Sequence, residues 1–170
     1  MAVKISQRRR MWLAFVRNRT ALIGAIIALL IVLMAIFAPL LSPYEPLDQA
    51  PLDRLEGSSS AHWLGTDDYG RDVLSRIIYG SRISLIIGTA SVLLGLVLGT
   101  FFGMLAGYMR GRIETLVMRG IDVMMCFPDL ILAIAVTAAL GSNLFNLILT
   151  IGIVMTPRFA RIAHGAILSI

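Results

Sequence analysis

Residues 21–41 and 83–109 form two stretches without a single charged side chain. At about 1.5 Å of rise per residue, a helix over either one covers roughly the 30 Å hydrocarbon core of a bilayer. The longer stretch has residues to spare for tilt. Composition points the same way. The chain is 58% hydrophobic and 15% charged, whereas soluble domains are about half apolar and about a quarter charged. Two further stretches are interrupted. Residues 121–140 carry Asp122, Pro128 and Asp129, and residues 144–163 carry Arg158 and Arg161 near their end. The predicted class is all-α: a polytopic membrane protein with four transmembrane helices in this chain.

The basic residues set a threading. Lys4, Arg8, Arg9, Arg10, Arg17 and Arg19 precede the first span, Arg110, Arg112 and Arg119 lie between the second and third, and Arg158 and Arg161 end the fourth. The segment 42–82 holds only Arg54, Arg71, Arg76 and Arg82, diluted by Glu45, Asp48, Asp53, Glu56, Asp67, Asp68 and Asp72. The positive-inside rule then places the N-terminus in the cytoplasm and residues 42–82 outside. The first apolar run is too long for a signal peptide's core, so it reads as an uncleaved anchor. The net charge of +5 sits beside apolar runs rather than on one soluble face, which argues against a nucleic-acid partner.

The expected organisation is a basic cytoplasmic tail over 1–20, a first transmembrane helix over 21–41, an extracytoplasmic loop over 42–82, and a core region over 83–170 with spans at 83–109, 121–140 and 144–163. Within the loop, "LGTDDYGRDVLSRIIYGSRISL" (64–85) predicts a short amphipathic helix over 69–79 lying in the membrane interface. Asp67 and Asp68 would favour its N-terminus. Val73, Leu74, Ile77 and Ile78 would form its apolar face, Arg71, Asp72, Ser75 and Arg76 its wet face, and Gly80 a bend into the second span.

The most regular pattern in the chain is glycine. Gly95, Gly99, Gly103 and Gly107 recur at every fourth position, followed by Gly111 and preceded seven residues earlier by Gly88. Glycine disfavours a helix in water by up to about 1 kcal/mol each. Several in one register therefore imply a packing surface, on which a second backbone can approach closely. Spacing alone leaves open whether that backbone belongs to this chain or to another.

Asp122, Pro128 and Asp129 are the chemically unusual residues of the spans. An ionised aspartate in mid-membrane must face protein or water, and Pro128 removes a helical hydrogen bond. One reading makes the three residues part of a pathway or gate. The other places both aspartates at the cytoplasmic interface, paired with Arg119 or Arg112 for structure. No phosphate-binding loop and no nucleophile elbow occurs, and His62 and His164 are far apart in sequence without a carboxylate cluster. Neither an enzyme, a metal site nor a cofactor is expected.

The stretch "HWLGTDDYGRDVLSRIIYGSRISL" (62–85), with its motif residues Gly65, Thr66, Asp67, Gly70, Arg71 and Asp72, closely resembles the segment ahead of the core spans in permease subunits of the dipeptide/oligopeptide/nickel class of bacterial ABC importers. "DVMMCFPDLILAI" (122–134) and "GIVMTPRFARIAHGAILSI" (152–170) are similar to the same family's next two spans, and the plan is that of the C-type partner. His164 stands where the family often has arginine. The resemblance implies six spans in a complete subunit, of which this chain would carry four. It further implies a second permease subunit sharing one pathway, two cytoplasmic ATPase subunits, an extracytoplasmic solute-binding protein docking near the 65–78 elbow, and a multi-pass location in the bacterial inner membrane. The family's EAA-type loop, which seats the ATPase, should begin near Ile170, so the chain reads as truncated before it. Competing expectations are a structural or regulatory membrane protein packing through its glycine face, a non-transporting remnant of such a permease, and a small homo-oligomeric channel.

Overall fold

The computed structural model of the protein describes residues 15–169. Among these, every regular element is helical, and strand-type pairing is limited to one antiparallel bridge between Thr66 and Asp72. Most of the tail expected over 1–20 lies outside the described residues, as does Ile170. The chain divides after Leu85 into two compact units.

In the first unit, helix α1 (Arg19–Ile36) starts at Asn18, whose Oδ1 accepts the Ala21 N–H at 3.2 Å. Such a cap satisfies one of the donors a helix N-terminus leaves free. Ile23, Leu29, Leu30 and Ile36 remain exposed around its circumference, as suits a helix whose solvent is lipid. The helix stops at Phe37, two residues ahead of Pro39, and resumes as the single turn α2 (Ala38–Leu41). Proline lacks the N–H that would have continued the ladder. An irregular connection follows, containing a 3-10 turn at Pro51–Asp53. It leads into α3 (Val73–Met109), an unbroken 37-residue helix.

This last point corrects the expected elbow. A separate helix over 69–79 with a bend at Gly80 is not what forms: residues 67–72 are a turn, the helix begins at Val73, and Gly80 lies inside it. Glycine permits a bend but does not impose one, and the continuous apolar run beyond it favours propagation. At about 55 Å, α3 exceeds the roughly 30 Å apolar core.

The second unit holds the rest of α3, then α4 (Gly111–Met125), α5 (Asp129–Leu140) and α6 (Leu144–Leu168). The chain reverses after α3 with φ of 45° at Arg110 and 65° at Gly111. Helices α4 and α5 meet at 98° across Cys126, Phe127 and Pro128. The span expected over 121–140 is therefore broken. Pro128 forces the residue before it out of helical geometry, so α5 starts afresh at Asp129. The α5–α6 hairpin turns on Gly141 (φ +86°). Asn143 Oδ1 accepts the Asn146 N–H at 2.8 Å, and the Asn146 amide donates to the carbonyls of Gly141, at 3.2 Å, and Leu140. Helix α6 packs on both α5 and α4.

Among the described residues, three helices, α1, α3 and α6, are long and apolar enough to cross a membrane, and a fourth crossing results if the bent pair α4–α5 acts as one. The fold is that of an all-α polytopic membrane protein.

Candidate functional site

Three arrangements place the residues singled out above. The first is a polar knot in the connection before α3. Asp67 accepts the N–H groups of Tyr69 (2.8 Å) and Arg71 (3.1 Å) on Oδ1. On Oδ2 it accepts Arg71 Nε at 2.8 Å and the Arg76 guanidinium. These bonds hold its carboxyl far below the ordinary carboxylate range, Arg71 being the largest cause. The tight turn uses Gly70 at φ +73°, where an added Cβ would run into the Ala50 backbone, and a Cβ at Gly65 (φ +74°) would run into the Glu56 carbonyl. Thr66 Oγ1 accepts the Glu56 N–H at 2.9 Å and donates to the Asp53 carbonyl.

Asp72, almost fully buried, caps α3. Its Oδ2 accepts both the N–H and the hydroxyl of Ser75 at 2.7 Å, and its Oδ1 lies 3.0 Å from His62 Nδ1. Burial pushes this carboxyl up, but the bonds from Ser75 and His62 outweigh it and the net shift is downward. Ser75 Oγ in turn accepts the Tyr44 N–H at 3.1 Å, and the Tyr44 and His62 rings lie 4.8 Å apart. The expected wet face is thus corrected: Asp72 and Ser75 are buried while Ile77 is half exposed. Sequence reasoning missed His62, Tyr44 and Ser75. A serine three residues after Asp72 is the spacing of a helix cap and its N3 partner, and that signal pointed to Asp72 rather than Asp67 or Asp68 as the cap.

The second arrangement is a close helix crossing. Gly95, Gly99, Gly103 and Gly107 of α3 are buried against α6. An added Cβ at Gly95 would stand 2.8 Å from Met155 Cβ, at Gly99 2.5 Å from Phe159 Cβ and 2.9 Å from the Ala160 nitrogen, at Gly103 2.8 Å from Ala163 Cβ, and at Gly107 2.9 Å from Ile167 Cγ2. Gly152 returns the fit from α6, where a Cβ would meet Leu94 Cδ2 at 2.6 Å. Gly88 has nothing within 4 Å and takes no part. Ser91, fully buried, extends the small-residue face by one turn, and its hydroxyl has no hydrogen-bond partner among the described residues.

The third is a ladder of ionic contacts on α6. Arg158 pairs with Asp129 at the start of α5, Arg161 donates to Asp122 of α4 at 2.7 Å, and His164 Nε2 lies 2.9 Å from Glu114 Oε1. The side chains of Arg158 and Asp129 are 58% and 54% exposed, and those of Arg161 and Asp122 51% and 54%. Neither aspartate pairs with Arg112 or Arg119, which form no ion pair among the described residues. The expected local pairing within the basic loop is corrected. The bend at Pro128 turns the acids toward α6 instead. Three-residue spacing of Arg158, Arg161 and His164, which puts them on one helix face, was the available signal. Beside the top pair lies a cleft of about 100 Å³ lined by Met124, Met125, Asp129, Leu132, Val154, Pro157 and Arg158.

Comparison with known proteins gives the same assignment from several directions. Residues 6–57 match the N-terminal TM domain of oligopeptide transport permease C. The chain is 44% identical over 158 residues to the glutathione transport system permease protein GsiD of Pectobacterium atrosepticum, covering 92% of this chain and 52% of that protein. It is 41% identical over 170 residues to the di/tripeptide transport system permease protein DppC of Pseudomonas aeruginosa, with 96% and 56% covered. With the dipeptide transport system permease protein DppC of Haemophilus influenzae it shares 42% over 164 residues, with 93% and 56% covered. The chain spans about half the length of these relatives. In its apolar helices and along nearly its whole length, the chain is similar to permease proteins of dipeptide, di/tripeptide and glutathione transport systems.

Proposed function

We propose that the chain acts as a transmembrane permease subunit of an ATP-driven ABC importer for peptides or similar small solutes, contributing half of the translocation pathway. The observation that carries this is identity of 41–44% to peptide and glutathione permeases over more than nine-tenths of the chain. In this reading the subunit is not itself an enzyme. ATP is hydrolysed by two separate cytoplasmic subunits, a second permease completes the pathway, and an extracytoplasmic binding protein delivers the solute. The subunit lies in the bacterial inner membrane with its N-terminus in the cytoplasm, an orientation supported by the arginine distribution. The rigid connection around Gly65, Thr66, Asp67, Gly70, Arg71 and Asp72 then stands outside, and Asp122, Pro128 and Asp129 line the pathway on the inner side.

The test is reconstitution. The full gene product, combined with its partner permease, ATPase and binding-protein subunits in proteoliposomes, should take up labelled dipeptide or glutathione only with ATP. Uptake indifferent to ATP, or none with all subunits assembled, overturns the reading.

A further inference from the structure

The break between α4 and α5 leaves part of the membrane unspanned by apolar helix. Helix α5 has 12 residues, about 18 Å of rise against a core of roughly 30 Å. Its first residue is Asp129, and α4 departs there at 98°. The Asp129–Arg158 and Asp122–Arg161 pairs sit at and just past this point, each about half exposed. Where such a broken span crosses a bilayer, its charges face protein or water rather than lipid.

Half-exposed ion pairs contribute little net stability, so either member exchanges its partner readily for another group of the same charge. Arg158 and Arg161 are three residues apart on one face of α6, with their Cβ atoms roughly 5–6 Å from each other. An extended dipeptide, at about 3.5 Å per residue, separates its ammonium from its carboxylate by about that span. Resting on the permease assignment above, we propose that these two ion pairs form a station for a zwitterionic solute, its carboxylate taken by one arginine and its ammonium by the aspartate of the neighbouring pair. The cleft lined by Met124, Met125 and Leu132 beside Asp129 offers apolar, adaptable walls, which suits a carrier that reads charged ends and tolerates varied side chains.

Cys126, exposed in the break and the only cysteine of the chain, is a built-in reporter. In inside-out vesicles holding the whole transporter, a charged methanethiosulfonate reagent should modify Cys126, and millimolar Ala-Ala should slow that modification at least threefold. N-acetyl-Ala-Ala-amide, which lacks both charges, should not. Arg158→Gln and Asp129→Asn should each abolish the protection and reduce ATP-driven Ala-Ala uptake about tenfold, while assembly with the partner subunits stays within twofold of wild type. Equal protection by the blocked peptide, or protection surviving in both variants, overturns the proposal, as does a loss of assembly proportional to the loss of uptake, which marks the pairs as a brace. A wild-type complex without ATP-driven uptake would instead overturn the permease assignment, whatever Cys126 reports.

Discussion

The connection before α3 and the helix crossing of the second unit are held by opposite means. In the connection, two aspartates each gather several donors: Asp67 takes Tyr69, Arg71 and Arg76, and Asp72 takes Ser75 and His62. In the crossing, Gly95, Gly99, Gly103 and Gly107 hold by removing side chains so that α6 can come close. The difference follows from solvent. A chain exposed to water gains little from dispersion alone and must satisfy each polar group it buries. Helices in lipid gain nothing from apolarity as such, because lipid is equally apolar, so shape complementarity decides which faces meet. The ionic ladder belongs to neither regime: its two half-exposed pairs are too weak to be the main support of either region.

The sharpest way to break this contrast lies within α3 itself. Gly99→Leu forces Cβ to within 2.5 Å of Phe159 Cβ, and overpacking of this kind costs about 3 kcal/mol or more where backbone must move. Gly88→Leu, with nothing within 4 Å, should leave stability unchanged or raise it by up to about 1 kcal/mol through helix propensity. Thermal unfolding of the two variants in detergent measures the gap, and equal melting would remove the close-packed face from the account.

Next comes Asp72→Ala, which strips the α3 cap and removes the acceptor of the buried Ser75 hydroxyl proton. About 2 kcal/mol should be lost. The loss should be local, visible as faster amide exchange at residues 62–76 with little change at 144–168. Uniform acceleration across both segments would contradict two separately held regions.

A milder probe is acid. Asp67 and Asp72 both have carboxyls shifted below 3.8 in the folded chain. Their ionised forms are favoured by folding, so the stabilisation is complete above the unfolded carboxylate range, near pH 4, and is lost as pH falls below it. Trp63 fluorescence in a Trp12→Phe background should therefore hold steady from pH 7 to about pH 5 and change only below about pH 4. A transition centred near pH 6 would remove the two aspartates from the account.

The smallest expected effect is in the ladder. Arg161→Gln should change unfolding free energy by no more than about 1 kcal/mol. A loss several times larger would make the pair a structural support and move the ladder into the same category as the glycine face.

Legibility in the sequence was uneven for definite reasons. Apolar runs at 21–41 and 83–109 announced α1 and most of α3, because length and charge are properties of a single segment. The break of the third span was half legible: Pro128 marked the place, but the 98° angle between α4 and α5 is a relation in space that no local signal carries. The elbow follows a different rule. Its 3.6-residue periodicity is real, yet Asp72 and Ser75 occupy positions that periodicity marks as wet, since burial there follows from His62 and Tyr44 folding back over them.

The sequence by itself determined that this chain crosses a membrane as helices, where small residues allow close approach, and to which kin it is related. Each of these is encoded in residue type and local order. Tertiary structure alone decided that α6 is the partner of the glycine face, that Asp122 and Asp129 meet Arg161 and Arg158, and that His62 and Tyr44 close over Asp72 and Ser75. Those are choices among distant partners of equal local chemistry, and only the path of the folded backbone brings one of them within reach.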